Sequence, residues 1–255
     1  AIGLEGEPGT GKTTFAKHAF SKATNLPLVF IGLGGVEDPS YLLGTSYSYE
    51  GSTYGRLVSG LMQSQFSNTI FYFDELDKIP NTNRGEQIVN ILIHLIDPAQ
   101  NSHIRDKYFP FDIDFSKCTF VFSYNDPDKI CPVLLDRIKR IHLDTPTKEE
   151  KIEIMKKYIV PKTLERLNTF FKFENESLEL IACNAEKEVG MRAIEKCVEH
   201  VVSSANLSKS FGSLSILGIN KPYKLKDTIQ PEFVSDLLYN KKRQKPQNFV
   251  GMMYT

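Results

Sequence analysis

The sequence predicts an α/β fold in which a parallel sheet is sandwiched by helices, followed by a small all-helical domain. Four short runs are almost continuously apolar, as strands of a sheet buried on both faces are. They are AIGL (1–4), LVFIG (28–32), TIFYFD (69–74) and TFVFSYN (119–125). Helical periods such as Ile88, Ile91, Leu92 and Leu95 separate these runs. This alternation is typical of parallel strands joined by crossover helices.

The pattern changes after Pro146. Residues 147–207 carry helical periods and no convincing strand. We therefore predict three parts: a large α/β domain over 1–145, a helical domain over 146–207 and a C-terminal extension over 208–255. In the extension, FGSLSILGINKPYKL is either irregular or holds a short strand. QPEFVSDLLYN is typical of a last helix, with Pro231 suited to its first turn.

Composition narrows the class of protein. The chain has 255 residues, a formal net charge of zero and no long apolar stretch. The lack of a long apolar stretch predicts no membrane span. The zero net charge argues against a nucleic-acid partner, which usually requires a basic surface. The four cysteines show no close spacing, so we expect a reducing compartment, either cytoplasm or mitochondrial matrix. Because the chain opens with Ala1 and a strand-like run, we expect a piece of a longer protein without a signal peptide.

The stretch GEPGTGKT (6–13) matches the phosphate-binding Walker A pattern, and it lies between a predicted strand and a predicted helix. Backbone N–H groups of such a loop turn inward around phosphates, and the helix N-terminus adds partial positive charge. We predict that Lys12 neutralises phosphate charge and that Thr13 binds Mg²⁺. The Glu7 side chain can point outward. The predicted nucleotide-binding residues of this loop are Gly6, Glu7, Pro8, Gly9, Thr10, Gly11, Lys12, Thr13 and Thr14.

TIFYFDELDKI (69–79) matches the Walker B pattern, an apolar strand that ends in two carboxylates. We predict that Asp74 holds Mg²⁺ through water and that Glu75 polarises the attacking water. Asn125 closes the next apolar strand, where a polar side chain could reach the γ-phosphate or that water. A strand-ending Asn is otherwise usually a turn former.

Arginines are the third candidate group, because guanidinium groups stabilise the charge that builds on a transferred phosphoryl group. Arg137 and Arg140 follow a short helical stretch in LLDRIKR (134–140), and Arg192 opens a helix of the predicted helical domain in GMR (190–192). The residues alone leave an ordinary surface arginine equally open at each position.

The order of these motifs resembles the AAA+ ATPase layout, and more closely the ATPase module of Lon proteases, over residues 2–207. Segments that resemble Lon in order and spacing are GVEDPSYLLG (35–44), DELDKI (74–79), HLIDPAQN (94–101), PVLLDRI (132–138) and EVGMRAIEK (188–196). VGMMYT (250–255) resembles the stretch where that module meets the peptidase domain. The serine–lysine peptidase dyad of the family would lie outside this chain.

The resemblance implies roles for single residues. Asn125 is implied as sensor 1, Arg137 as the arginine finger acting on a neighbour's ATP, and Arg192 as sensor 2. Arg140 stays the alternative to Arg137, because we expect it to lie beside Arg137 in the same turn. The cofactors implied are ATP and Mg²⁺, and the implied assembly is a homohexameric ring.

The resemblance also gives a role to the loop SYSYEGSTYG (46–55). It implies a pore loop that grips unfolded or tagged protein substrates through Tyr49, Glu50 and Gly51. Glu50 departs from the family pattern, which has an aliphatic residue there, and the departure indicates either basic substrates or a loop that no longer threads. Phe109 is a candidate for a second pore loop or for a core aromatic.

The leading hypothesis is an AAA+ module whose ATP hydrolysis powers unfolding and translocation of proteins in a Lon-like protease. One alternative is an AAA+ motor that acts on nucleic acid in replication or packaging. The other is an inert ring scaffold, which the presence of Lys12, Glu75 and Arg137 argues against.

Overall fold

The computed structural model of the chain describes residues 1–185, 190–211 and 227–243. The chain forms two compact units, Ala1–Asp144 and Thr145–Thr255. In the described residues, no helix has both the length and the apolar character needed to cross a membrane.

The first unit is built on a five-stranded parallel sheet with the order β2-β3-β6-β1-β7. The strands of this sheet are β1 (Ile2–Glu5), β2 (Leu28–Gly32), β3 (Ile70–Asp74), β6 (Thr119–Tyr124) and β7 (Lys139–His142). A small antiparallel pair, β4 (Ile104–Arg105) and β5 (Asp112–Ile113), stands apart from the sheet. The predicted parallel sheet is thus confirmed, and all four predicted strands belong to it.

Helices connect the strands of this unit. Their α-helical segments are α1 (Lys12–Phe15), α2 (Lys22–Thr24), α3 (Ser40–Leu43), α4 (Arg56–Ser64), α5 (Asn83–Ile96) and α6 (Pro132–Asp136). A π-helical stretch, Ala16–Ser21, joins α1 to α2, so that one helical rod follows the glycine-rich loop. The start of α5 is fixed by Thr82, whose hydroxyl accepts a hydrogen bond from the Gly85 N–H at 3.2 Å.

Both faces of the sheet are buried, as the apolar runs predict. Along β3, Phe71 and Phe73 face one core, where Phe73 stacks on Phe122 of β6 with ring centroids 5.0 Å apart. Ile70 and Tyr72 face the opposite side and a second core beneath the helical rod. The alternation of faces along a strand thus places each side chain in one of two separate cores.

The fifth strand, β7, was not predicted. Its sequence, KRIH, holds one apolar residue, and three of its four residues are exposed. It lies at the edge of the sheet, where only one neighbour and little burial are needed. An apolar-run criterion therefore cannot detect it.

The second unit is mainly helical. It contains α7 (Lys148–Ile154), α8 (Val160–Arg166), α9 (Asn175–Asn184), α10 (Met191–Phe211) and α11 (Pro231–Arg243), with a π-helical stretch, Met155–Ile159, between α7 and α8. A capping box between Thr147 and Glu150 begins α7, a device that contributes about 1 kcal/mol. A two-residue parallel pair, β8 (Lys172–Phe173) and β9 (Thr228–Ile229), was not predicted.

The predicted last helix is α11, and it begins at Pro231 as expected. Phe233, Val234 and Leu237 of this helix are buried in the same core as Val198 and Val201 of α10. The described part of the predicted extension therefore contributes to the helical unit's core. Most of FGSLSILGINKPYKL and all of VGMMYT lie outside the described residues.

Candidate nucleotide-hydrolysis site

The candidate site lies at the carboxyl edge of the five-stranded sheet. Because the strands are parallel, the segments that follow β1, β3 and β6 emerge at the same edge. The glycine-rich loop follows β1, Asp74 ends β3 and is followed by Glu75, and Asn125 follows β6.

Lys12 is held inside the glycine-rich loop. It is 9% exposed, and its ammonium donates to the carbonyl oxygens of Gly6 at 2.7 Å and Glu7 at 3.0 Å. It also donates to Asn125 Oδ1 at 2.7 Å. The predicted Lys12 and Asn125 are thus in direct contact, and the positive charge is fixed at the mouth of the loop.

The loop backbone adopts conformations that glycine allows. Gly9 has φ 84° and Gly11, which caps α1, has φ 95°, both in the left-handed region. Glu7 contributes its carbonyl oxygen, which also accepts from the Thr10 hydroxyl at 2.9 Å, while its side chain is exposed. Glu7 therefore belongs to the loop through its backbone rather than its carboxylate.

The predicted Mg²⁺ ligands are joined through two residues that sequence reasoning missed. The Tyr72 hydroxyl lies 3.2 Å from Thr13 Oγ1. The Ser123 hydroxyl donates to Asp74 Oδ1. Tyr72 also interacts with Ser123 and with Asp74. Thr13 and Asp74 are therefore held by one continuous set of hydroxyl contacts.

Burial raises the pKa of the Tyr72 phenol above its ordinary value of 10.0, and the Asp74 carboxylate raises it further. The phenol thus keeps its proton at neutral pH and can donate or accept. A polar residue two positions before a strand-ending Asp or Asn is the signal that could have found both Tyr72 and Ser123, because such residues share a face.

The residues present suit Mg²⁺. Thr13 and Asp74 offer a hydroxyl and a carboxylate oxygen, and Mg²⁺ prefers a few such protein oxygens together with water and phosphate. Across the described ranges, no three His, Cys, Asp or Glu side chains cluster into a metal site. The donor set therefore fits an ion that is held jointly with a nucleotide.

Glu75 is exposed and has a left-handed backbone, with φ 61°. Its carboxylate lies against Gly34, so closely that a β-carbon at position 34 would overlap Oε2. A non-glycine residue in this conformation is uncommon and is often found at functional sites. Gly34 is a third residue that the sequence prediction did not include.

The predicted arginines lie elsewhere. Arg137 directly follows α6 and is exposed. Arg140 is also exposed, but it lies in β7, so the expectation that it shares a turn with Arg137 is wrong. The intervening Ile138 is buried, and β7 begins directly after it at Lys139. Arg192 is the second residue of α10, in the second unit, and it is exposed.

The predicted pore loop connects α3 to α4. Tyr47 and Tyr49 are 68% and 71% exposed, and Glu50 is exposed as well. Gly51 has φ 77°, a conformation that glycine adopts easily. The structure thus presents the predicted aromatic side chains on a surface loop rather than folded onto the core.

A parallel sheet with a glycine-rich loop after β1 and an acidic pair at the end of β3 defines a P-loop nucleotide hydrolase. The family model described as "ATPase family associated with various cellular activities (AAA)" matches residues 2–145. The chain belongs to this AAA family and is an ATPase.

Over nearly its whole length the chain is similar to Lon proteases. A Lon protease homolog of Acanthamoeba polyphaga mimivirus is 32% identical over 240 residues, covering 92% of this chain and 23% of the relative. The Lon protease of Campylobacter jejuni is 33% identical over 253 residues, covering 98% of this chain and 31% of the relative. The chain thus spans less than a third of the length of these relatives.

Among solved structures, a mutant form of RuvB from Thermotoga maritima matches with a TM-score of 0.60. The match covers 93% of this chain and 61% of that chain at 15% identity. At this identity the likeness shows the fold alone.

Proposed function

We propose that the chain hydrolyses ATP at the carboxyl edge of the sheet and uses the energy to move polypeptides in an ATP-dependent protease. The contact between Lys12 and Asn125 carries this proposal, because it joins the two motifs that must act on one phosphate. Similarity to Lon proteases supports the link to proteolysis.

In this proposal Lys12 and the inward backbone N–H groups of residues 6–14 hold the phosphates. The Thr13 hydroxyl and the Asp74 carboxylate hold Mg²⁺, which when bound neutralises charge on the phosphate oxygens. Tyr72 and Ser123 keep these two ligands in place through the hydroxyl contacts.

Glu75 orients and polarises the attacking water, and Asn125 positions the terminal phosphate beside Lys12. The Asn125 amide has one oxygen and one NH₂ group. While its oxygen accepts from Lys12, its NH₂ group can donate to a phosphate oxygen or to water. Glu75 and Asn125 thus act on the attacking water and the terminal phosphate rather than on the adenine.

The two arginines complete the site. Arg137 is exposed at the end of α6, as a residue that reaches a neighbouring copy must be. We assign it to ATP bound by that neighbour, in a homohexameric ring. Arg192 is assigned to the nucleotide of its own chain, where it would sense the bound phosphate. These assignments rest on the resemblance to Lon.

The loop of residues 44–55 is assigned to polypeptide binding. Tyr49 offers an exposed ring that can pack on varied side chains and backbone. Glu50 beside it favours basic segments of the polypeptide.

The four cysteines, all of them within the described residues and all free, support a reducing compartment. The peptidase chemistry is assigned to residues outside this chain.

The test is which polymer stimulates ATP turnover. Unfolded casein should raise turnover by the wild-type protein, and double-stranded DNA should not. Tyr49→Ala should lose the stimulation by casein. Tyr158→Ala, which removes a tyrosine that is 69% exposed in the second unit, should keep it. Stimulation by DNA alone would favour the nucleic-acid motor and overturn the proposal.

A further inference from the structure

Asp106 is a buried carboxylate that lies between two surface loops. We define the first loop as residues 44–55, which connect α3 to α4, and the second loop as residues 106–111, which connect β4 to β5. Asp106 is only 1% exposed. A carboxylate is rarely buried to this extent unless its oxygens are satisfied.

Each oxygen of Asp106 holds one loop. Oδ2 accepts a hydrogen bond from the Gly55 N–H at 2.8 Å, in the first loop. Oδ1 accepts one from the Tyr108 N–H at 2.8 Å, in the second loop. Hydrogen bonds to a charged acceptor are stronger than neutral ones, so the carboxylate ties the two backbones together.

Two further contacts join the bases of the loops. The Lys107 N–H donates to the carbonyl oxygen of Leu43 at 2.8 Å. The ring of Tyr54 contacts those of Tyr108 and Phe109, with centroids 6.1 and 6.3 Å apart. The C-terminal side of the first loop therefore rests on the second loop.

The tips of the loops remain exposed above this joint base. Hydrogen bonds between Thr45 and Thr53 close the neck of the first loop, leaving Tyr49 71% exposed beyond it. Phe111, at the end of the second loop, is 56% exposed. Phe109 lies between the tips and the base, half-buried and stacked on Tyr54.

We propose that Asp106 is a positioning residue that makes the two loops one polypeptide-gripping unit, so that Tyr49 and Phe111 engage the same substrate segment together. This inference rests on the proposed function. Asp106 itself, being buried, acts only through the loops that it holds.

The variant Asp106→Asn tests the coupling, because one oxygen is replaced by an NH₂ group that cannot accept from a backbone N–H. We expect amide hydrogen exchange to become at least tenfold faster in both loops, with exchange in α7 unchanged. The stimulation of ATP turnover by casein should fall at least fivefold relative to basal turnover. Asp112→Asn, which neutralises an exposed carboxylate paired with Arg105 at 3.5 Å, should change neither quantity.

Unchanged exchange in either loop of Asp106→Asn would overturn the coupling, and faster exchange with full stimulation would overturn the positioning role. If Asp106→Asn does not fold, the same measurements are made on Asp106→Glu, whose longer side chain moves both oxygens away from the two backbone N–H groups. Slow exchange retained in both loops of that variant would overturn the coupling. Failure of the proposed function has a separate signature. In that case Tyr49→Ala keeps the stimulation, whereas the exchange result still decides whether Asp106 couples the loops.

Discussion

The Lys12 ammonium donates a hydrogen bond to Asn125 Oδ1 at 2.7 Å, although 113 positions separate the two residues in the chain. The bond crosses from the loop after β1 to the end of β6, two neighbouring strands. A charge-assisted bond of this length fixes both groups. The phosphate-binding lysine and the polar end of the neighbouring strand therefore form one unit.

Asn125→Ala should lower ATP turnover by roughly tenfold or more, because a preorganised polar group at the reacting phosphate is lost. Affinity for a non-hydrolysable ATP analogue should change by less than about threefold, since ground-state binding by the loop remains. Steady-state turnover and analogue titration measure the two effects. Asn90→Ala, at an exposed position on α5, is the control. Turnover close to that of the wild type would contradict the role given to Asn125.

Glu75→Gln should bind ATP and fail to hydrolyse it, because the amide cannot polarise the attacking water. Single-turnover assays with labelled ATP measure this. Turnover by the wild type with none by this variant excludes the inert-scaffold alternative. Unchanged turnover in the variant would show that Glu75 is not the base.

Gly34→Ala should also lower turnover, by roughly tenfold with little loss of ATP affinity, since its β-carbon occupies the place of the Glu75 carboxylate. The matched control is Gly32→Ala, whose β-carbon would meet the Phe30 ring at 3.8 Å, an ordinary contact distance. Equal turnover in the two alanine variants would mean that the position of the Glu75 carboxylate does not matter.

Tyr72→Phe should weaken the dependence of ATP binding on Mg²⁺, because Thr13 loses the hydroxyl that holds it. We expect the gain in ATP affinity on adding Mg²⁺ to fall about fivefold, and stability to fall by about 1 kcal/mol for the lost hydrogen bond. Nucleotide titrations with and without Mg²⁺ measure the first effect, and urea unfolding measures the second.

Tyr124→Phe is the matched control for Tyr72→Phe. Tyr124 is a buried tyrosine of β6, and its hydroxyl has no hydrogen-bond partner among the residues that the structure describes. Burial raises its pKa to about 12, so the phenol is neutral. Removing the Tyr124 hydroxyl should leave the dependence of ATP binding on Mg²⁺ unchanged. The free energy of unfolding should be unchanged or higher. If both variants behaved alike, the contact between Tyr72 and Thr13 would have no role in metal binding.

An assembly made only of Arg137→Ala subunits should have no ATP turnover. Mixing these subunits with a second inactive variant should restore part of it. A Lys12→Ala subunit retains Arg137, and an Arg137→Ala subunit retains the nucleotide site. Mixing the two inactive variants should therefore restore part of the activity, as measured over a range of mixing ratios. Arg140→Ala, on the edge strand β7, should remain active. Absence of any recovery on mixing would argue against action on a neighbouring chain.

The sheet and much of the candidate site could be predicted from the sequence because both depend on local patterns. A strand buried on both faces must be apolar throughout, so the sequence identifies β1, β3 and β6. A phosphate-binding loop needs glycines at fixed spacing, so the sequence also identifies the loop around Lys12. Their convergence follows from parallel topology, which brings strand ends to one edge.

The features that could not be predicted from the sequence depend on contacts between segments that are distant in the chain. The edge strand β7 has little burial and hence no apolar run. Tyr72 and Gly34 matter because of Thr13 and Glu75, respectively, which lie far from them in the chain. Asp106 is one of many aspartates in the sequence, and only the fold shows that it is buried between two loops.

The most direct test of the central claim is the affinity for ATP, in the presence of Mg²⁺, of the wild-type protein and of Lys12→Ala, measured by calorimetric titration. We predict saturable binding by the wild type and a loss of at least roughly a hundredfold in the variant, because the variant lacks the ammonium held inside the loop. Equal affinities, or no binding by the wild type, would contradict the assignment of this sheet edge as the ATP site.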